Sequence, residues 1–417
     1  MSHIKNNKYD WIVVGGGISG ITIAEILCRS GKSVLLLEKN EKLASETSKV
    51  FHEWLHSGTL YSLTPDRLMT LRYLLGAADD LFEYYDGFTR MNLRPTDSGI
   101  ELNRKGWFNA EYIEYRYKKH RFNPVWSSLV SRSINIIDLV SQHDWLRRRA
   151  GSDYGSSKVK FSHWFNNIPR QIVNKDDFYC KMSPDITINS RILISDILSA
   201  ALNKGLTILT NSSVVSITEK KKLTIVRTKS DEFQSENVVI CSPDVISKLS
   251  SIPIKTSYAP IAIVENIPEH EKSFVELDYS IKKCINLLKK GDGIGQAGGI
   301  SVATKEEIKP YLSYVIAEHK KINPDIRVVD TYVGLKKELV QKGEDRNYLY
   351  HINQNSDHIW SVVLGKFSLA FSLAPEFYRQ IYHENPPKSM NEPIERTVNE
   401  LISKTSWDEI INNSRRK

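Results

Sequence analysis

Two histidines, His52 and His56, lie four residues apart in one short segment of the chain. On a helix this spacing would place both rings on one face, where they could share a metal ion. Gly58 favours a turn here and no third ligand follows, so we predict no metal site. Proton transfer is the remaining chemistry, because the ordinary pKa of imidazole lies close to neutral pH. We predict that His56 is a general base or hydrogen-bond donor, with a structural role in its loop as the alternative.

A glycine-rich turn near the N-terminus has the residues needed to hold a dinucleotide. The run Gly15-Gly16-Gly17-Ile18-Ser19-Gly20 follows an apolar stretch and precedes apolar residues with helical spacing. Gly15 allows a tight turn, Gly17 lets the backbone approach a pyrophosphate, and Gly20 lets helix and strand pack closely. The N-terminus of the helix would offer free N–H groups to the phosphates. The residues of this turn that are assigned to cofactor binding are Gly15, Gly17, Ile18, Ser19 and Gly20.

Glu38 stands at the end of a second apolar run, Val34–Leu37. Its distance from Gly20 is close to that at which dinucleotide-binding units carry an acidic residue for the adenosine ribose. Because strand, turn, helix, second strand and acid occur in register, residues 9–39 predict one complete βαβ unit that binds a dinucleotide. Lys39, the next residue, is assigned to the same site.

The whole chain has the size and composition of an ordinary globular protein. Its 417 residues are enough for two domains. No apolar run reaches the roughly 18–20 residues that span a bilayer, and the polar N-terminal sequence lacks the apolar core of a secretory signal. The four cysteines form no CxxC pair and no metal-binding spacing. These features predict a cytoplasmic protein.

The net charge of +8 is unevenly placed, with basic residues concentrated between residues 118 and 149. Residues 134–149 have the pattern of an amphipathic helix that ends in three arginines. A solvated helix end is the favoured interpretation. The alternatives are a weak contact with anionic lipid at the inner face of the membrane, or with an acidic partner. Nothing in the sequence resembles a nucleic-acid-binding module.

The remaining elements predict two kinds of segment. Helical spacing occurs around 192–202, and β-branched runs follow at 206–209, 214–217, 223–227 and 238–240, the last three as a meander at a sheet edge. A further strand and helix are predicted at 358–364 and 368–382, and one helix at 395–411. By contrast, residues 91–185 are rich in Trp, Tyr, Arg and Asn, and residues 253–335 carry strand-like runs and a glycine cluster. We assign these two stretches to a substrate-covering domain.

The segment that follows Glu38, residues 39–63, is one that an NAD-dependent dehydrogenase does not need. Together with the turn Gly365-Lys366-Phe367 it resembles the D-amino-acid-oxidase-type (DAO) FAD oxidoreductases. The phrase from His56 to Tyr61 is similar to the HSG-x-x-Y segment of one branch of that family. That branch holds FAD-dependent glycerol-3-phosphate dehydrogenase and L-2-hydroxyglutarate dehydrogenase. The resemblance covers residues 1–90, 186–252 and 330–383.

The resemblance implies an α/β fold. A Rossmann-like FAD-binding domain would be assembled from discontinuous segments, and an α+β substrate (cap) domain would cover the flavin. The implied FAD-binding parts are residues 1–90, 186–252 and 336–383. The implied cap parts are residues 91–185 and 253–335, and residues 384–417 would form a polar helical tail.

The resemblance also implies which residues hold the flavin. The small hydroxyl-bearing residues Ser45, Thr47 and Ser48 would let the chain pass close to the phosphates and ribityl of FAD. Backbone N–H groups in the turn at Lys366 would face the flavin pyrimidine oxygen and stabilise the reduced ring. The further cofactor contacts implied are Thr47, Ser48, His56, Ser57, Gly58, Val215, Gly365, Lys366 and Phe367.

The activity implied is that of a dehydrogenase that oxidises a small anionic 2-hydroxy acid or polyol phosphate by hydride transfer to flavin N5. His56 would take the hydroxyl proton, and Lys366 would stabilise the reduced flavin. Lys336 stands where the family has its substrate-binding arginine, and Arg346 is the alternative anion-binding residue. Two other functions stay open, an amine or amino-acid oxidase that uses O2 and a non-catalytic flavoprotein subunit. The electron acceptor, a quinone, a carrier protein or O2, also stays open.

One stretch departs from the family pattern. Where the family usually has a small glycine-bearing turn after a strand, this chain has Cys241-Ser242-Pro243. That form looks more like the monoamine-oxidase group of flavoproteins, but the paired glycines of that group are absent. Both patterns imply FAD as the cofactor, but this stretch does not fix the subfamily.

Overall fold

Two large β-sheets with helices packed on them make up the part of the chain that the computed structural model describes. The described residues are 8–61, 66, 68–96, 99–102, 106–119, 125–126, 128–130, 132–133, 136, 172–175, 177–221, 223–250, 252–278, 283–291, 293–340, 347–392 and 398–414. Arg346 and nearly all of the predicted amphipathic helix at 134–149 lie outside these residues. No described helix is long and apolar enough to cross a membrane.

The strands are β1 (Lys8–Val14), β2 (Val34–Leu37), β3 (Trp54–Leu55), β4 (Leu93–Thr96), β5 (Gly99–Leu102), β6 (Phe108–Lys118), β7 (Val173–Asn174), β8 (Phe178–Ile188), β9 (Thr207–Leu209), β10 (Val214–Lys220), β11 (Leu223–Thr228), β12 (Glu232–Ile240), β13 (Ile254–Glu265), β14 (Phe274–Asp278), β15 (Lys283–Gly291), β16 (Ile294–Gly299), β17 (Arg327–Leu339), β18 (Tyr350–Ser356) and β19 (Ile359–Leu364). The helices are α1 (Ile18–Arg29), α2 (Met69–Tyr84), α3 (Ser190–Asn203), α4 (Pro243–Leu249), α5 (Ile308–Ile322), α6 (Ala370–Tyr382), α7 (Val398–Leu401) and α8 (Ser406–Ser414). Short 3₁₀ turns occur at Thr47–Lys49, Thr59–Tyr61 and Phe367–Leu369.

The first sheet carries the predicted βαβ unit. Its strands follow the order β10-β11-β12-β1-β2-β9, and β19 adds to it through β12 and pairs with β18. β1 pairs in parallel with both β2 and β12, which requires crossover connections such as α1. The four residues of β2 are all buried, as expected for a strand covered on both faces. Helix α1 packs between this sheet and helices α3 and α6.

The second sheet is built from strands of both stretches that were assigned to the substrate-covering domain, together with the short strand β3. Its order is β17-β13-β16-β15-β14-β6-β8-β3, with β7 on β8. Helix α5 covers part of one face, where Val315 packs with Phe274 and Leu287. The opposite face of the same strands is left to border a cavity.

The predicted order of elements is confirmed for the nucleotide-binding part, with end points that differ by a few residues. The single helix predicted at 395–411 is wrong, because two helices, α7 and α8, are separated there. The chain between them pairs with the N-terminal unit, since Leu43 donates its N–H to Leu401 and accepts one from Ser403. In the predicted meander β10 is the edge strand, whereas β12 lies inside the sheet.

Two of the predicted domain boundaries fall within strands. The boundary at residue 185 lies in β8, and the boundary at residue 335 lies in β17. Each of these long strands begins in the second sheet and ends next to the nucleotide-binding part. The chain therefore passes between the two sheets without a linker at these positions.

Candidate functional site

The glycine-rich turn is closed toward the sheet and open toward the N-terminus of α1. Gly15 has a φ of +110°, and a Cβ there would lie 3.0 Å from the backbone nitrogen of Ser242. A Cβ at Gly20 would overlap the carbonyl oxygen of Gly15. At Gly17 such an atom would meet only Oγ of Ser48, at 3.3 Å. The open side is where a pyrophosphate is expected to approach the helix.

Glu38 lies directly beside this turn. One oxygen of its buried carboxylate accepts a hydrogen bond from the backbone N–H of Gly16, at 2.7 Å. The other accepts hydrogen bonds from the backbone and side chain of Asn40, at 2.9 and 2.8 Å. These bonds fix the orientation of the carboxylate, which retains lone pairs for a ribose hydroxyl.

A cavity of about 420 Å³ opens in front of the turn. The predicted cofactor residues that line it are Gly15, Gly17, Ile18, Ser19, Glu38, Lys39, Thr47 and Ser48. Lys39 forms ion pairs there with Glu46 and Asp244, at 2.6 and 2.9 Å. Val215 is about half exposed, and it is the neighbouring Val214 that lines the cavity. Gly20 does not line this cavity. Its missing side chain instead allows helix α1 to pack closely on the end of strand β1.

A second cavity, of about 510 Å³, continues from the first and extends under the second sheet. The two share the residues Ile18, Thr47, Ser48, Lys337 and Leu364. The predicted residues His56, Lys336, Gly365, Lys366 and Phe367 all line the second cavity. Ser57 and Gly58 instead shape the loop below it, because Ser57 is fully buried and Gly58 has a φ of +103° against Leu71.

His56 follows β3 and is held against the wall of the second cavity. Its ring packs on Trp54, with centroids 4.2 Å apart and planes inclined by 30°. Its Nδ1 lies 3.6 Å from Oδ2 of Asp185, which is longer than a hydrogen bond, so this contact is electrostatic. Burial and the nearby charge of Lys366 lower the pKa of His56 to about 4. The imidazole is therefore neutral at pH 7 and able to accept a proton.

Asp185 is a buried carboxylate surrounded by hydrogen-bond donors. It accepts hydrogen bonds from Nε1 of Trp54 at 2.8 Å, from the backbone N–H of Ser57 at 2.7 Å, and from the hydroxyl of Tyr115 at 2.6 Å. Burial alone would raise the pKa of Asp185, but its interaction with the His56 imidazole and the hydrogen bonds from Ser57 and Tyr115 outweigh burial and keep the pKa lowered. The sequence offers no signal for this residue, which lies 128 residues from Ser57 and meets it only through the pairing of β3 with β8.

Two lysines bring positive charge to the same cavity. Lys366 places its ammonium group over the rings of Tyr61 and Tyr348, 4.4 and 4.6 Å from their centroids, a cation–π arrangement. Lys336 lies inside β17, opposite Ser257 of β13. Phe367 stacks on Phe51 with centroids 4.2 Å apart. The cavity therefore combines the neutral imidazole of His56 with the cations Lys336 and Lys366. Asp278 and Lys337, which is ion-paired with Asp244, also line it.

The other side of the cavity carries polar residues that the sequence did not mark. Asn286 and Ser301 come from the second sheet and the loop after β16, and they face the cavity together with His52 and Cys284. The sequence pattern marks His52 only as a possible metal ligand together with His56. Neither histidine lies on a helix. No cluster of three or more His, Cys, Asp or Glu suited to a metal ion occurs among the residues that the structure describes.

Comparison with known proteins identifies relatives of the same architecture. The sequence profile of the family described as "DAO: FAD dependent oxidoreductase" matches residues 10–282. UDP-galactopyranose mutase of Mycoplasma pneumoniae is 43% identical over 61 residues, or 13% of this chain and 15% of the mutase. The match to this curated relative therefore spans less than a sixth of its length.

Two solved structures are similar over nearly the whole chain. L-α-glycerophosphate oxidase of Mycoplasma pneumoniae, with FAD bound, superposes with a TM-score of 0.63 at 15% identity, covering 93% of this chain and 99% of the oxidase. Glycine oxidase of Geobacillus kaustophilus gives a TM-score of 0.65 at 13% identity, covering 94% of this chain and all of that chain. At these identities the likeness concerns the fold.

Proposed function

The chain belongs to the DAO family of FAD-dependent oxidoreductases, and on this premise we propose that it oxidises a small anionic 2-hydroxy acid or polyol phosphate. The observation that carries the proposal is the convergence of His56, Lys336 and Lys366 on one cavity. A neutral base next to two cations suits a substrate that carries both a negative charge and a hydroxyl group to be deprotonated.

The two connected cavities fit the two ends of FAD. The open backbone at Gly17 and the carboxylate of Glu38 would hold the pyrophosphate and the adenosine ribose. The turn Gly365-Lys366-Phe367 would hold the flavin end in the second cavity. We assign the first sheet to the FAD-binding domain and the second to the substrate domain. When bound, FAD supplies the acceptance of a hydride from the substrate.

The residues of this chain would bind the substrate and move its proton. Lys336 would neutralise the anionic group as a point charge, while neutral His56 would accept the hydroxyl proton. The imidazolium that results would be stabilised by the negative charge of Asp185, 3.6 Å from Nδ1. Lys366, on the backbone turn before α6, would add positive charge near the flavin end.

The test is an anaerobic bleaching screen of the purified flavoprotein. The protein is expected to be yellow, and 2-hydroxy acids or glycerol phosphates are expected to reduce its flavin. Reduction by amino acids or amines alone, with peroxide formed in air, would assign it to the oxidases instead. Retention of FAD with no bleaching by any compound would favour a non-catalytic subunit. Rapid reduction of a dye or quinone without peroxide would identify a dehydrogenase.

We further propose a cytoplasmic location. For the basic region 118–149, the alternative to a solvated helix end is a weak contact with anionic lipid. The concentration of basic residues there supports this, although Lys118 lies 3.9 Å from the carboxylate of Glu276. Flotation with phosphatidylglycerol-containing vesicles should show binding that is lost in high salt. Equal recovery with neutral vesicles, or no binding, would contradict the contact.

A further inference from the structure

Three side chains on one wall of the second cavity have a buried polar atom without a hydrogen-bond partner among the described residues. These atoms are Nε2 of His52, Oδ1 of Asn286 and Oγ of Ser301. A buried polar group left unpaired costs about 1–3 kcal/mol. Their occurrence together around one cavity indicates that a bound molecule pairs with them.

His52 and Asn286 are brought together by the strand pairing of β15 and β16. Asn286 lies directly opposite Gly298 in this antiparallel pair, so positions 286 and 298 present their side-chain sites on the same face. A Cβ at Gly298 would overlap Nε2 of His52. The imidazole therefore occupies the place beside Asn286 that a side chain at position 298 would fill.

The two faces of β15 separate this polar wall from the apolar core. Ile285 and Leu287 point to the face covered by α5 and pack in its apolar cluster. Cys284 and Asn286 alternate with them and border the cavity. Burial raises the pKa of the Cys284 thiol to about 12, so this wall carries no thiolate.

Ser301 is positioned by the same helix. The N–H of the preceding residue, Ile300, donates a hydrogen bond of 2.9 Å to the hydroxyl of Tyr311 on α5. That hydroxyl in turn donates to the carbonyl oxygen of Cys284 at 2.8 Å. The loop after β16 and strand β15 are thus both hydrogen-bonded to the hydroxyl of Tyr311, which fixes Ser301 relative to Asn286.

The side chains of the wall are neutral hydrogen-bonding groups. Burial lowers the pKa of His52 to about 3, and the cations Lys336 and Lys290 lower it further in the same direction, so the ring is neutral at pH 7. An imidazole, an amide and a hydroxyl can each donate or accept a hydrogen bond. An aliphatic group beside them would leave these polar atoms unpaired, whereas a hydroxyl group could both donate to them and accept from them.

We infer that His52, Asn286 and Ser301 form a subsite that binds a hydroxyl group of the substrate other than the one that is oxidised. This inference rests on the proposed function and narrows its substrate class to polyhydroxylated anions, such as polyol phosphates or sugar acids. An unsubstituted 2-hydroxy acid with an aliphatic chain would leave the wall unpaired.

The experiment compares ligands that differ by one hydroxyl. Dithionite-reduced holoenzyme, kept anaerobic so that no oxidation occurs, is titrated by calorimetry with four anions. One pair is glycerol 3-phosphate and 1,2-propanediol 1-phosphate, and the other is glycerate and lactate. The additional hydroxyl is expected to tighten binding at least about tenfold in one of the pairs, as for sites built to bond a hydroxyl.

Variants assign this preference to the wall. Asn286→Leu and Ser301→Ala are expected to reduce the ratio of dissociation constants toward one while FAD is retained. Asn353→Leu is the matched control, because Asn353 on β18 also has a buried, unpaired amide nitrogen but does not line the cavity. Its ratio should equal that of the wild type.

The possible failures are distinguishable. If the anions bind but each pair binds equally, the hydroxyl subsite is overturned and the anionic substrate class stands. If the variants change FAD affinity or the flavin spectrum and leave the ratio intact, the wall contacts the cofactor and the inference is overturned. If none of the four anions binds, the proposed substrate class fails together with the inference.

Discussion

The carboxylate of Asp185 lies 3.6 Å from Nδ1 of His56, and Asp185 itself does not line the cavity that His56 borders. Hydrogen bonds from Trp54, Ser57 and Tyr115 fix that carboxylate. Asp185 is therefore a positioning residue for the proposed base, since it lies within charge contact of the ring and is itself fully buried.

Replacing His56 by Gln should slow flavin reduction by the substrate about 10²–10⁴-fold, the usual contribution of general base catalysis. FAD should be retained, because Gln can fill much of the same volume. Stopped-flow absorbance under anaerobic conditions measures the rate. An unchanged rate would show that His56 has only a structural role in its loop.

Replacing Asp185 by Asn should slow the same step and move its pH dependence. Wild-type reduction is expected to fall as pH drops through about 4, where His56 takes up a proton. Without the carboxylate that favours the imidazolium, this limb should move to lower pH. Asp196→Asn is a matched control, because Asp196 is also buried and accepts a hydrogen bond from an indole, that of Trp107. An effect on stability alone in both variants would rule out the positioning role.

Replacing Glu38 by Ala should weaken FAD binding about tenfold or more, because the carboxylate lies at the turn where the ribose is expected. The dissociation constant of FAD can be measured by fluorescence after reconstitution of apoprotein. Glu41→Ala, at an exposed position nearby, provides the control. Equal FAD affinity in wild type and Glu38→Ala would show that Glu38 does not bind the ribose.

A methyl group added at Gly76 should stabilise the fold. Gly76→Ala, inside α2 with no heavy atom other than the local helix backbone within 4 Å of the new methyl group, should raise the free energy of unfolding by about 0.5–1 kcal/mol. Chemical denaturation measures this gain.

Gly298→Ala should displace His52 and weaken the binding of glycerol 3-phosphate to the reduced holoenzyme. Calorimetry measures this binding. Unchanged ligand binding in Gly298→Ala would contradict the tight fit of His52.

The protein should lose stability as the pH falls from about 6.5 to 4. Burial lowers the pKa of His319 to about 4, against an unfolded value of about 6.5. In that window the unfolded chain binds more protons, so His319 should reduce the free energy of unfolding by about 2 kcal/mol at pH 5. Urea titrations at pH 7 and 5 should show a smaller loss in His319→Gln than in wild type. His270→Gln, at an exposed position, should behave as wild type.

Local pattern was sufficient for the cofactor half of this protein. The spacing of Gly15, Gly17 and Gly20 and the acid at Glu38 belong to one continuous segment, so their contacts follow from the geometry of a single βαβ unit. The strand Val34–Leu37 has the predicted ends because its flanks are a glycine turn and the acid. The tail was predicted wrongly because its break is imposed by pairing with Leu43, more than 350 residues away.

The sequence by itself determined the fold family and the cofactor, and it named His56, Lys336 and Lys366 as candidate site residues, which line one cavity. Only the tertiary structure decided their surroundings. Asp185 reaches His56 through the pairing of β3 with β8, and Asn286 meets His52 through the pairing of β15 with β16. The physical reason is that contacts between distant strands depend on sheet register, and no local spacing of residue types encodes register over 100 or more residues.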